Sequence, residues 1–596
     1  MKKQVLLVQH YFAIVWTVIL CGSLLNQGIF GPVTLSALFI PAIAVGVTAS
    51  LVFICSKSAT QLVTSKRVLG NSRVCAVSLL VIYYWVNALY HGQITIRHYY
   101  ISVIGLLFFV CLCSALYTPN SNWLWRPVKI LACLQAMICL LQQLNYLPTA
   151  DAAFQVTGTC VNPNNTAMFL TLCLPVLYVS LKGAIKPLQH TKYVTAIVLI
   201  VLALCCLKCR TAFLGIFCMA VIQLCLQSTI SGARKKYLLV GWIVVVGGIL
   251  LTGLYFLNVQ SAEGRLLVWK IVLRSIGQQT WWGGGYGLFE HDYNLAQANY
   301  FAEAARPITE IFQAGYIHMS YNELLENIAE GGLLGGAVWV VFLIAWLPRK
   351  LLFNQQQYRI NSTEEAVFCL AMPCFIIMSL VNFTFQAIPV MLLTTAYAGV
   401  FVGKQAMPQD ALDHAKVAGL WVKQTVTSAL AIGFTAIMFV TATSYAQCKA
   451  LKTNSNAIEA AQQILPLEKW MFHSVFYWRS RAAIAERGGN ISLAIDCYNK
   501  ARQLSSDPDI YTKQAKLYAQ KGDYPQAIQL MQVSKNMQPH LFAPCMALMH
   551  LYNANKDTAS SLAMAQYIVQ MPVKVPSKKV DGYKQAARDW LISTNN

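Results

Sequence analysis

The sequence predicts an all-α membrane protein: a polytopic helical bundle of about thirteen transmembrane helices, followed by a C-terminal α-helical repeat domain. Three observations carry this. Apolar residues occupy 57% of the 596 positions and charged residues only 11%, against roughly 25% charged in a soluble chain. Apolar runs of about 20 residues, the length that crosses a bilayer core, recur along the first three quarters of the chain. After about residue 448 those runs stop and a helical repeat takes their place.

The expected spans are 12–30, 34–56, 74–90, 100–117, 127–144, 166–182, 192–207, 211–228, 237–257, 333–352, 365–381, 385–402 and 426–447. They form a transmembrane domain over 1–447, with 258–332 a large extramembrane loop and 448–596 the repeat domain. The first run is too long and poorly flanked for a cleaved signal peptide. The formal charge of +22 could suggest nucleic acid, but the distribution of the basic residues argues for topology instead. With Lys2 and Lys3 cytoplasmic, alternate loops carry Lys57, Lys66, Arg67 and Arg73; Arg126; Lys182, Lys186 and Lys192; Arg234, Lys235 and Lys236; Arg349, Lys350 and Arg359; and Lys404, Lys416 and Lys423. That is the positive-inside pattern, and no nucleic-acid partner is expected. An odd number of spans then places 258–332 and everything after about 448 outside the cytoplasm.

Most of the nineteen cysteines lie inside apolar spans and read as small buried hydrophobes. Cys160, Cys209, Cys497 and Cys545 fall outside the membrane in this topology, where an oxidising compartment permits pairing but nothing in the sequence demonstrates it.

In the C-terminal segment, Ala482, Gly489 and Ala494 recur 33 residues later as Ala515, Gly522 and Ala527. The period is near the 34 of tetratricopeptide repeats. A degenerate third unit is expected over 541–570, and a linker with a capping helix after Pro572. These helices could pack only against the membrane domain or could hold a protein partner on a concave face.

Chemistry is sought on the external face. Asn162-Pro163-Asn164 is a turn signal before the sixth span, and its simplest role is to cap a helix starting near Thr166 through Asn164 or Asn165. Lys208 and Arg210 occupy a tight external hairpin, against the topological charge bias; they either snorkel or hold a phosphate. In the long loop, Gly264-Arg265 opens an amphipathic stretch with Trp269 and Lys270, where a guanidinium could clamp a diphosphate. Trp281-Trp282-Gly283-Gly284-Gly285-Tyr286-Gly287 joins interface-seeking indoles to a flexible backbone; glycine-rich turns can offer N–H groups to an anion, but the phosphate-loop spacing is missing. His318 could act as a general base near neutral pH, and Glu323 could orient it or take that role; an interfacial hydrogen-bonding histidine is the alternative.

In their order around one external loop, Gly158 to Ala167, Arg210-Thr211-Ala212, Gly264-Arg265 with Trp269, Gly283 to Phe289, and Asn322-Glu323 through Glu330-Gly331 to Gly335 resemble the O-antigen ligase superfamily of bacterial membrane glycosyltransferases. The resemblance spans most of 150–402. It implies a GT-C-like enzyme of the bacterial inner membrane that moves a glycan from a polyprenyl-diphosphate carrier to an acceptor hydroxyl on lipid A-core or on protein, with neither cofactor nor metal. It further implies that Arg210 and Arg265, with Lys208, bind the diphosphate; that His318 and Glu323 carry catalysis; and that Asn162, Asn164, Tyr321 and Asn322 position substrate. The family has histidine directly before the motif's asparagine, where this chain has Tyr321, with His318 about one helical turn upstream. O-antigen polymerases use the same chemistry. A non-catalytic assembly scaffold and a transporter are the other classes; a transporter favours ionisable residues midway through spans, which are scarce here.

Overall fold

The structure, a computed structural model, describes residues 2–29, 68, 70–118, 120–149, 151–227, 245–249, 252–253, 255–256, 259–277, 281–348, 362–406, 440 and 443–595. It is all-helical, with no strand among the described residues. The expected spans 34–56, 237–257 and 426–447 lie wholly or largely outside them.

The bundle is built from α1 (Lys2–Ile29), α2 (Ser72–His91), α3 (Ile96–Tyr117), α4 (Asn122–Gln143), α5 (Pro163–Lys182), α6 (Pro187–Leu207) and α7 (Arg210–Gln227). After a layer formed by α8 (Val259–Ile276), α9 (Phe289–Glu303) and α10 (Ile308–Gln313), the chain returns to the bundle in α11 (Glu323–Trp346), α12 (Thr363–Ser379) and α13 (Ile388–Ala406). Among the described residues six helices are long and apolar enough to cross a membrane: α2, Ile96–Leu116 of α3, α4, α5, α6 and α11. Phe12–Leu24 and Arg210–Leu224 are apolar but shorter.

Small residues set a close contact in the bundle. A Cβ on Gly399 would stand 2.6 Å from the Phe108 carbonyl oxygen, and one on Gly403 would stand 2.5 Å from that of Leu112. Four residues apart on α13, these glycines let its backbone press on α3, the usual device where lipid offers no hydrophobic drive between helices. The helix ends define two faces. One gathers the α3–α4 turn, the start of α12 and the end of α13, where Ser121 donates to Glu364 at 2.8 Å and Lys404 donates to the Thr118 carbonyl. The other gathers the α2–α3 turn, the starts of α5, α7 and α11, and the 380–387 turn, and it supports the α8–α10 layer.

That layer has its own core of Leu267, Val268, Ile271, Val272, Phe289, Tyr293, Tyr300 and Ala314, so the long loop is a small helical unit. The helical pattern expected after Gly264 is realised: the buried positions of α8 recur at one and four residues, a single face.

Above it lie helix pairs: α14 (Ala457–Ile464), α15 (Val475–Arg487) with α16 (Ile491–Arg502), α17 (Pro508–Gln520) with α18 (Tyr524–Met537), α19 (Phe542–Ala554) with α20 (Thr558–Gln570), and a final α21 (Lys578–Asn595). The turn inside each pair is the same structure three times. Gly489, Gly522 and Lys556 take left-handed φ values of 74°, 83° and 63°. Each is followed by a capping Asn490, Asp523 or Asp557, whose side chain accepts a backbone N–H of the second helix. Ala482, Ala494, Ala515 and Ala527 are all fully buried between the paired helices.

One local expectation is corrected. The turn before the sixth expected span is capped by Asn162, not Asn164 or Asn165, and the helix starts at Pro163. Proline fits the first helical position because its missing N–H has no intrahelical acceptor there. Cys160, Cys209, Cys497 and Cys545 are buried free thiols.

Candidate functional site

The structure brings Arg210 and Arg265 together. Arg210 begins α7, and its Nη2 donates to Ser261 Oγ on α8 at 2.8 Å. One turn further along α8, Arg265 Nη1 donates to the Val381 carbonyl at 2.8 Å, and its guanidinium carbon lies 5.0 Å from the Tyr321 ring centroid. Burial lowers the Arg265 pKa, and the nearby like charge of Arg210 lowers it further; Tyr321 and Cys209 act the other way. Asn382 donates to Thr211 Oγ1 at 3.1 Å, tying the turn after α12 to the start of α7. Four segments distant in sequence therefore converge on two cations, a phenol and an amide. Two guanidiniums so placed can offer planar donor forks to one anion.

Tyr321 has φ of 57° and packs edge-on against Phe383 at 5.8 Å. The left-handed region is unfavourable for a bulky residue. It is held here by its neighbours: Ser320 Oγ donates to the Asn322 carbonyl at 2.6 Å, and the Asn322 side chain accepts the Leu324 and Leu325 N–H groups, capping α11. Asn322 and Asn162 are thus both helix caps, and Asn164 donates its backbone N–H to the Asn162 side chain. Lys208 is exposed and closes α6 with φ of 50°.

His318 stands apart from this convergence. Its ring packs edge-on to Tyr316, with centroids 4.4 Å apart. The residue is exposed, and partial desolvation of its ring lowers its pKa, partly opposed by the Asp507 carboxylate at the start of α17. Glu323 is buried at the first turn of α11, where its Oε1 accepts the Phe385 N–H at 2.7 Å. The expected pair of His318 and Glu323 is therefore divided between the repeat-facing surface and the bundle wall.

Sequence reasoning misses Arg97. From the first turn of α3 its guanidinium forks to Glu326 and Glu330, both 2% exposed. With Glu323, these carboxylates fall three and then four residues apart on one face of α11, a spacing legible in the sequence. What is not legible there is the arginine they share.

Glu330 also explains the glycine-rich segment. Its Oε1 accepts the Gly287 and Phe289 N–H groups at 3.0 and 3.1 Å. Gly284 and Gly285 donate to the Ala329 and Glu330 carbonyls at 2.9 and 2.8 Å. The turn does cradle an anion, but the anion is a side chain of the protein. α11 breaks at Gly332, with φ of 68° and ψ of −169°, to admit this strand-like contact. A Cβ there would stand 2.1 Å from the Trp281 carbonyl oxygen.

The repeat layer docks on the same end of the molecule. Gln297 of α9 donates to the Met537 carbonyl at 2.6 Å, and Ser506 donates its backbone N–H to Glu290 at 3.0 Å and its hydroxyl to the His291 carbonyl at 2.8 Å. Among the described residues no group of three His, Cys, Asp or Glu side chains is arranged to hold a metal ion. Compared with known proteins, the chain matches no family model and no curated relative.

Proposed function

We propose that the protein is a membrane glycosyltransferase that moves a glycan from a polyprenyl-diphosphate carrier to an acceptor hydroxyl, of lipid A-core or of a protein serine or threonine, at the periplasmic face of a bacterial inner membrane. The observation that carries this reading is the convergence of Arg210 and Arg265 at one end of a bundle of apolar helices. Two guanidiniums so placed can stabilise one shared anion through charge-assisted hydrogen bonds. A lipid diphosphate at the membrane edge is an anion of the right reach.

In this reading the acceptor oxygen attacks the anomeric carbon, the bond from that carbon to the diphosphate oxygen breaks, and the diphosphate departs on its lipid. The two guanidiniums, with Lys208 beside them, stabilise the charge growing on the leaving oxygen. The acceptor proton passes to His318 or Glu323, and Tyr321, Asn322, Asn162 and Asn164 shape the surroundings. About thirteen spans bring the α8–α10 layer and the C-terminal domain to the periplasmic side. Consistent with that, α13 ends at Ala406 on the face opposite the one where the repeat layer docks. The three repeated turns support a tetratricopeptide-like domain able to hold a protein partner or acceptor.

A polymerase joining glycan repeat units would use the same groups. A non-catalytic envelope-assembly scaffold is favoured by one observation, the placement of His318 toward Asp507 of the repeat layer. Glycan transfer in reconstituted membranes separates these readings. Arg210→Ala and Arg265→Ala should abolish transfer, and unchanged transfer would reject the site. Deleting the gene and comparing lipopolysaccharide banding with periplasmic glycoprotein staining then distinguishes the acceptors, since one pattern should be lost and the other kept.

A further inference from the structure

The Arg97 cluster lies beside the arginine pair and reaches it through one carboxylate. Glu326 Oε2 accepts the Ser320 N–H at 2.8 Å, and the Ser320 hydroxyl oxygen, whose proton goes to the Asn322 carbonyl, lies 3.1 Å from it. Its Oε1 accepts Gln386 Nε2 at 2.8 Å as well as the Arg97 guanidinium. Ser320 precedes Tyr321, whose ring lies under Arg265, and its carbonyl accepts Trp269 Nε1 of α8 at 2.9 Å. Gln386 closes the turn whose Val381 carbonyl accepts from Arg265. A single buried carboxylate thus joins the segment carrying the phenol to the turn carrying the carbonyl, and Arg97 fixes that carboxylate while its other arm fixes the glycine-rich turn through Glu330.

We infer that Arg97, acting through Glu326, is a positioning residue that holds both walls of the Arg210–Arg265 site. For its ligand, a lipid diphosphate, the inference rests on the function proposed above. Its physical basis is independent of that function: a carboxylate buried in low dielectric with three donors resists displacement, and removing one partner loosens everything it joined. Preorganisation of the groups around a binding site is what such a shell supplies.

The test uses the purified full-length protein in detergent with Arg97→Gln, Arg97→Lys, Glu326→Gln and Arg265→Ala. Backbone hydrogen exchange is read first, over 316–325 and 381–387. The inference requires exchange to quicken about tenfold or more in both segments for Arg97→Gln and Glu326→Gln, with α4 to α6 and α15 to α20 unchanged. Unchanged exchange in either segment overturns it, whatever the ligand. Equilibrium dialysis with farnesyl diphosphate is read second. Arg97→Gln should weaken binding about tenfold, and Arg97→Lys should recover part of the loss because the charge still reaches one carboxylate. Equal loss in both variants with unaltered exchange also overturns the inference. Wild-type protein that fails to bind the probe, or Arg265→Ala that binds it equally, refutes the diphosphate reading, and the exchange arm still decides the role of Arg97. Competition by inorganic pyrophosphate separates recognition of the diphosphate from recognition of its lipid tail.

Discussion

The Arg265 guanidinium lies over the ring of Tyr321, 5.0 Å from its centroid, and Tyr321 presents that ring from a left-handed backbone with φ of 57°. The contact joins α8 to the segment before α11 and depends on a conformation that a tyrosine rarely adopts. A cation–π contact of this kind contributes about 0.5–2 kcal/mol, more as water is excluded. Tyr321→Phe should keep most of the affinity for a diphosphate probe. Tyr321→Ala should lose about threefold to tenfold, as measured by equilibrium dialysis. Equal behaviour of the two variants would remove the ring from the site.

Glu330 satisfies the Gly287 and Phe289 N–H groups and one arm of Arg97. Glu330→Ala leaves buried donors and a buried guanidinium without that acceptor, at a cost of about 3–5 kcal/mol. The expected result is a clear fall in the thermal midpoint in detergent. Exchange should rise first over 281–289, because those amides lose their acceptor directly.

Gly332 and Gly582 should respond oppositely to alanine. At Gly332 the new Cβ would meet the Trp281 carbonyl at 2.1 Å from a backbone with φ of 68°. Gly332→Ala should therefore prevent the glycine-rich segment from docking and strongly lower expression of folded protein. Gly582 lies within α21, and a methyl group added there would have no neighbour within 4 Å. Gly582→Ala should stabilise that helix by about 0.5–1 kcal/mol through helix propensity alone, seen as slower exchange over 578–595.

Lys556 holds the left-handed position that Gly489 and Gly522 hold in the preceding turns. A residue with a Cβ costs about 1–2 kcal/mol there, and glycine relieves it. Lys556→Gly should slow exchange in α19 and α20 by about fivefold or more. Faster exchange would show that the lysine side chain supplies a compensating contact.

Three histidines line the contact between the repeat layer and the rest of the molecule, and all have lowered pKa values. Desolvation is the largest cause for each; Asp507 partly offsets it at His318, and Lys574 adds to it at His540. A histidine whose folded pKa lies below its ordinary 6.5 binds protons less readily when folded. Its stabilising effect is therefore complete above that ordinary value and is lost as pH falls through 6.5 toward the lowered value. Exchange at the α9–α18 contact should quicken between about pH 7 and pH 5. Replacing His318, His473 and His540 together by asparagine should flatten that dependence.

Much of the architecture is legible in the sequence because its causes are local. The left-handed turns at Gly489 and Gly522 show as a 33-residue recurrence, and the third is hidden because Lys556 stands there in place of a glycine and one residue out of step. Arg210 stands out as a cation against the expected charge bias and Arg265 as the opening of an amphipathic stretch, and the structure brings the two near each other. The resemblance makes Asn162 and Asn322 positioning groups, whereas their side chains cap α5 and α11, a role that neighbouring sequence alone could assign. His318 and Glu323 lie five residues apart in sequence, yet the break in direction at Tyr321 sends them to different surroundings.

By itself the sequence determined the all-helical class, the apolar lengths and the phase of the repeats, since periodicity and composition act over one helix at a time. Only the tertiary structure decided which buried charges meet. Arg97 and Glu326 are 229 residues apart, and no local pattern links them. Burial in low dielectric is the reason they must meet: an isolated charge there is costly, so packing admits the arginine only where carboxylates of another helix already wait.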